Sequence, residues 1–396
     1  MIRSLSDLFF LIGVICLVFV TIVTAPYLGI KQVTTVSSII IFLFSVNFLF
    51  KNWQIISQKN NQSIVFYIFV SFLISAKVSV ISGDIFNGIY FLKDWLNPIL
   101  ILIYFENIKS KKRNILKKVL LFFFIVECLL GIYERLTTTL VFGSLESVGL
   151  TEFYDGKIEN LNVIFRSQSL LGNPLNNAHL ICVMLGVILN SSINLKNTFV
   201  LLLLGIISIL CFNARAATIS VFLVALIYFL MVKNKLNNRQ FNLLLLLFTV
   251  GFTIILYLLF NSSLGGRLIY GDKLLDGSAK ARFDAFDIFL KFYNTKNLLI
   301  GDPTIEKINL TENGYLNMMI FFGIPFAFLL ILSQVFLIFS RIRNFNIHGK
   351  SIILICFFLV GFSNNNLAQA DSLLLLCVWL SAFSKNVLYK TRLQSN

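Results

Sequence analysis

Arg215 sits in the run FNARAAT, between two long apolar blocks, in a connection too short to be a real loop. A guanidinium at the mouth of an apolar bundle needs an anion. Phosphate fits best, because the charge is permanent and the forked donors bind in pairs; a structural pair with a nearby carboxylate is the other reading. Arg166 lies in FRSQSLLGNPLNNAH, just ahead of the next apolar block. There Asn173-Pro174 begins a helix, with proline where a missing N–H is tolerated. The positive end of that helix can help hold an anion, or Arg166 is an ordinary loop arginine. Arg267 and Arg282 stand in a long connection further on, as phosphate contacts or as solvated charge. Glu312 opens TENGYLNMMIFFGIP and is followed by Asn313 and Gly314. A carboxylate at the mouth of a helix can act as a general base. Thr311 or Glu312 can equally cap the first helical N–H groups. His179, about one turn into the block after Pro174, is either a proton carrier or a hydrogen-bonded bundle residue. No HExxH, P-loop, GxSxG, CxxC or DxD pattern is present, so neither metal chemistry nor cytoplasmic nucleotide-driven chemistry has support, and no cofactor is expected.

The elements that must position these residues are membrane helices. The chain has 396 residues, 57% hydrophobic and 13% charged, with a mean hydropathy of +0.85. Soluble domains carry about 25% charged residues. The apolar residues come in blocks of roughly 18 to 25, the length needed to cross a bilayer as helix, and in lipid such blocks must satisfy their own backbone hydrogen bonds. The expectation is an all-α, polytopic protein forming one membrane domain over 1–396. Its spans fall near 8–28, 33–50, 63–82, 85–105, 116–134, 175–193, 197–213, 215–232, 241–260, 313–339, 351–368 and 372–388. The apolar run after MIRSLSD lacks a small-residue cleavage site and reads as the first span, retained. All six cysteines lie inside apolar blocks and read as small buried hydrophobes.

Charge gives the direction. The net charge is +15, and the lysines and arginines fall in every second connection and at both termini. That is the positive-inside pattern, with both termini cytoplasmic, and it removes the need for a nucleic-acid partner. Two long connections, 135–174 and 261–312, then lie outside. Loops of that length are usually functional. The second contains SAKARFDAFDIFLKFY, an amphipathic segment suited to the bilayer surface. Lys77, Asp84, Lys93, Asp94, Glu127, His179, Arg215 and Asp371 all fall in the outer half of their spans. Polar groups at such depth face the bundle interior or a watery cavity, here one open to the outside; Lys77 or Lys93 can instead pair with Asp94 or snorkel to the headgroups.

Taken in order, four elements resemble the O-antigen polymerase and ligase superfamily of bacterial inner-membrane proteins, in particular the Wzy-type polymerases. They are RSQSLLGNP ahead of a span, NAR at a tight outer turn, ARFDAF followed by an amphipathic stretch to LLIGDP, and ENGYLNMMIFFGIP opening a span. They cover roughly residues 160–325. The resemblance implies a GT-C-like architecture and glycosyl transfer at the outer face of the bacterial cytoplasmic membrane, without a metal. The donor would be an oligosaccharide on undecaprenyl pyrophosphate. Arg166, Arg215 and Arg282 would contact the pyrophosphate, with Arg267 and Asn313 as further substrate contacts. Glu312 would be the base, with His179 as the alternative. A chain-length regulator (a co-polymerase) is a partner of such an enzyme. The ligase branch typically has His-Asn where this chain has Glu312-Asn313, which favours the polymerase. A ligase, or a flippase of lipid-linked oligosaccharides, shares the span count and the basic charge; a carrier would be expected to show pseudo-symmetric halves, and none are visible in the sequence.

Overall fold

The computed structural model describes residues 61–106, 108, 110–141, 167, 169–171, 174–191, 193–212, 214–233, scattered positions between 237 and 257, 295–302, 313–343, 345–363 and 370–383. The expected spans at 8–28 and 33–50, the amphipathic segment, Arg166, Arg267, Arg282 and Glu312 lie outside the described residues.

What is described is almost entirely helical. We number the helices α1 Gln62–Ser82, α2 Ile85–Glu106, α3 Ser110–Thr137, α4 Pro174–Leu189, α5 Leu195–Phe212, α6 Arg215–Lys233, α7 Thr295–Ile300, α8 Gly314–Arg341, α9 Ile347–Leu354 and α10 Ala370–Phe383. α9 runs on as a π-helical stretch, Ile355–Leu359, and a 3-10 turn, Val360–Ser363. Five of these helices are long and apolar enough to cross a membrane: α1, α2, α5, α8, and α6 from Ala216. α3 is long enough but carries Glu127, Glu134 and Arg135, all buried. Large apolar side chains point away from the bundle, Phe69, Phe72, Phe122, Leu226 and Phe328 among them. The described part is an all-α bundle of the multi-pass membrane type.

Helix boundaries follow local chemistry. α1 stops at Gly83, whose left-handed φ of 67° ends the helix without a Cβ clash. Asp84 then accepts the Phe86 N–H at 2.9 Å and starts α2. Asp84 is exposed there and caps the turn, which leaves the watery side of the expectation, and not the bundle interior, for this residue. α1 and α2 cross where Gly88 leaves no room for a side chain, and Ser75 Oγ donates to the Gly88 carbonyl at 2.7 Å. Small residues at such crossings let membrane helices approach closely. α10 packs on α2, with Trp379 fully buried and stacked on Phe383 at 5.4 Å.

One end of the bundle is tied by charge. Arg341 Nε stands 3.3 Å from Glu106 Oε1, and both its Nη atoms donate to Asn61 Oδ1 at 3.3 Å. Arg113 Nη2 donates to the Glu106 carbonyl at 2.8 Å. These contacts join the start of α1, the end of α2, the start of α3 and the end of α8. Lys117 over the Phe383 ring, 5.5 Å away, adds the end of α10. Asn190 Nδ2, bonded to the Gly349 carbonyl at 3.2 Å, joins the end of α4 to the start of α9. The five described cysteines are free and buried.

Candidate functional site at the opposite end

At the opposite end α4 and α6 pack on the π-helical stretch, and α8 reaches it through Tyr315. α4 begins at Pro174 and turns His179 inward, where it is 1% exposed. Its ring lies 6.0 Å from the Phe357 ring and bonds to the Phe357 backbone. The next carbonyl, Phe358 O, accepts the Tyr315 hydroxyl of α8 at 2.8 Å. A π turn widens the helix and leaves carbonyls out of register with the ordinary ladder; such turns are frequent at functional sites. Here two aromatic side chains from two other helices take up consecutive carbonyls. α6, which Arg215 opens, packs on the same stretch, as does α4.

Asn313 caps α8. Its Oδ1 accepts the N–H groups of Tyr315 at 3.0 Å and Leu316 at 3.2 Å. The capping role that the sequence leaves open for Thr311 or Glu312 is therefore filled by Asn313, and Asn313 spends its oxygen on the backbone. Glu312 is the residue immediately before this cap. Asn317, one turn further, is buried at 2% exposure. His179 and Tyr315 thus meet on consecutive carbonyls of one turn, and Cys182 Sγ, three residues after His179, lies 3.7 Å from Ala217 O near the start of α6. Arg166 adjoins Ser167, which is fully buried and donates to the Gly131 carbonyl of α3 at 2.5 Å.

α8 is broken a few turns in. Gly323 has φ 71° and ψ 156°, and Pro325 has no N–H to give. The carbonyls released are taken up from outside the helix. Lys77 of α1 donates to Phe322 O and lies 4.3 Å from the Phe326 ring. The Asp302 N–H donates to Ile320 O at 2.8 Å. Broken helices at membrane depth require this kind of replacement. Of the two lysines, Lys93 pairs with Asp94 at 3.2 Å as expected, whereas Lys77 serves the break. Phe322 itself packs edge-on against Phe91 and Trp95. Tyr315, the π stretch and the break were not singled out in the sequence; the FFGIP run, with glycine and proline two apart, is the signal that could have found the break.

α3 contributes two buried carboxylates. Glu127 and Glu134 are both 0% exposed. Ser169 and the Leu170 N–H face the Glu127 carboxyl, so this acid lies in the protein interior behind the segment that leads into α4.

Comparison with models of protein families finds no match, and comparison with curated protein sequences finds none.

Proposed function

We propose that the chain is a surface polysaccharide polymerase. It joins repeat units carried on undecaprenyl pyrophosphate at the outer face of the bacterial cytoplasmic membrane and releases undecaprenyl pyrophosphate. The reading includes about twelve spans in a GT-C-like arrangement, both termini cytoplasmic, and the α4–α6–α8 end outward. The observation that carries it is that α4, α6 and α8 all reach the 355–363 stretch, α4 through His179 and α8 through Tyr315, because the openings of these three helices hold the motifs by which the sequence resembles Wzy-type polymerases. Arg166, Arg215 and Arg282, with Arg267 as a further contact, neutralise the pyrophosphate, which is already an activated leaving group. What remains is to align an acceptor hydroxyl and take its proton. Glu312 takes that proton. It precedes a cap that Asn313 already supplies, so its carboxylate is not needed for the helix. His179 is the alternative acceptor, but its ring is committed to Phe357 and is nearly sealed.

The break in α8 favours a second reading, a carrier of lipid-linked oligosaccharide, because interrupted helices often line transport sites. Deleting the gene and resolving the cell's glycans on a gel separates the readings. A polymerase leaves single capped repeats and no long chains. A flippase leaves lipid-linked single units facing the cytoplasm. A ligase leaves finished polymer on the lipid carrier. Within the first outcome, Arg215→Ala and Glu312→Gln at normal protein levels each leave single repeats; full-length chains from either variant would remove that residue from the site.

A further inference from the structure

A single buried carboxylate holds both stems of the first long loop. Glu134, at the loop end of α3, is fully buried. Its Oε1 accepts the N–H of Val141 at 3.0 Å, at the start of the connection. Its Oε2 accepts the N–H of Ser169 at 2.7 Å, where the connection returns. α3 grips the returning stem twice more: Ser167 Oγ donates to Gly131 O at 2.5 Å and Ser169 Oγ to Glu127 O at 3.3 Å. Ser169 is held at φ 42°, a left-handed conformation rare for serine. Such strain survives only where the surroundings over-determine it, and three contacts on residues 167–169 do so.

A carboxylate buried at this depth is costly, and a helix end alone gives no reason for one. The end of α3 leaves carbonyls that need donors, so it has no use for an acceptor. Bridging a donor on each stem takes two, spaced as the two oxygens of one carboxylate are. We propose that Glu134 is a positioning residue: it staples the stems of the 142–166 connection together and so sets where the chain stands at Arg166, one residue before Ser167. The role of Arg166 rests on the polymerase reading; the staple does not.

The test uses the full-length protein in lipid nanodiscs. Glu134→Gln keeps one acceptor and sets an amide NH2 against an N–H donor. Hydrogen exchange should quicken about ten- to a hundredfold, the worth of a hydrogen bond to a charged group, in the peptide covering Val141 or in that covering residues 167–171, whichever amide meets the NH2, while the middles of α5 and α8 keep their protection. Val141→Pro removes only the first donor, leaves the carboxylate in place, and should free the first stem alone; it decides the matter if the glutamine variant does not fold. In a polymerisation assay, Glu134→Gln should raise the apparent KM for lipid-linked donor about tenfold, lower kcat far less, and add nothing in an Arg166→Ala background. Unchanged exchange at both Val141 and Ser169 overturns the staple. Changed exchange with an unaltered KM, or with effects that multiply across the two variants, overturns the positioning role. Wild-type protein that makes no polymer defeats the polymerase reading alone, since the exchange measurement reads the staple without it.

Discussion

Gly323→Ala tests the break in α8. Gly323 lies against the backbone at the end of α7. A Cβ placed on it would stand 2.8 Å from Leu299 C and 2.9 Å from Ile300 C, and closer still to Leu299 O. These are backbone atoms, which cannot swing aside as the end of a side chain can. The conformation, φ 71° and ψ 156°, also belongs to a region that only glycine occupies freely, and costs another residue about 1–3 kcal/mol. To reach ordinary contact distance the 299–302 backbone must retreat by roughly 1 Å. That movement breaks the Asp302 N–H to Ile320 O bond, now 2.8 Å, for about 1 kcal/mol more. The expected loss is about 2–4 kcal/mol, concentrated at one contact. Hydrogen exchange of the peptide containing Asp302 should quicken roughly thirty- to a thousandfold, at about 1.4 kcal/mol per decade, and the melting temperature in detergent should fall. Gly83→Ala is the control. Gly83 has φ 67° and nothing within 4 Å of a built Cβ, so it should lose only about 1–2 kcal/mol for the left-handed backbone. Equal losses at the two glycines, or an Asp302 amide still protected in Gly323→Ala, would refute the packing argument.

Three further outcomes follow from the buried polar contacts. Arg341→Met strands the Glu106 carboxylate in the core and should cost about 3–5 kcal/mol; adding Glu106→Gln should recover part of it in chemical denaturation, and an additive double variant would mean that the pair is not coupled. Asn313→Ala should lose about 1 kcal/mol as an N-cap and speed exchange in the first turn of α8, whereas Asn313→Asp keeps the acceptor and should match the parent; an aspartate as damaging as alanine would argue that the amide nitrogen matters instead. Tyr315→Phe leaves Phe358 O without its hydroxyl donor and should cost about 1–3 kcal/mol, with faster exchange across residues 355–359; unchanged exchange there would show that the π turn holds without it.

Apolar block length is a strong signal because lipid leaves no alternative to helix. The expected spans at 63–82 and 85–105 therefore meet Gln62–Ser82 and Ile85–Glu106 almost residue for residue. The expected 116–134 is shorter than Ser110–Thr137, because the helix runs on at both ends through charged residues that pack inward: Arg113 onto the Glu106 carbonyl, Glu134 onto the loop stems. Hydropathy penalises such residues and has no term for their partners. Lys93 with Asp94 was legible because both partners are side chains one residue apart. Lys77 was not, because its partner is a backbone carbonyl that exists only once Gly323 and Pro325 interrupt α8.

The candidate site divides along the same line. Its residue types can be read in order along the chain, since chemistry is carried by side chains. Its assembly cannot, because much of it depends on main-chain groups: the Phe357 and Phe358 carbonyls of a π turn, the Tyr315 and Leu316 amides at a cap, the Val141 and Ser169 amides at a staple. Buried serines and threonines can bond back to carbonyls of their own helix, as Ser71 does to Tyr67 O and Thr218 to Ala214 O. Longer polar side chains such as Lys77, Tyr315 and Glu134 instead find partners where the backbone leaves regular helix, and those places are not written in residue type.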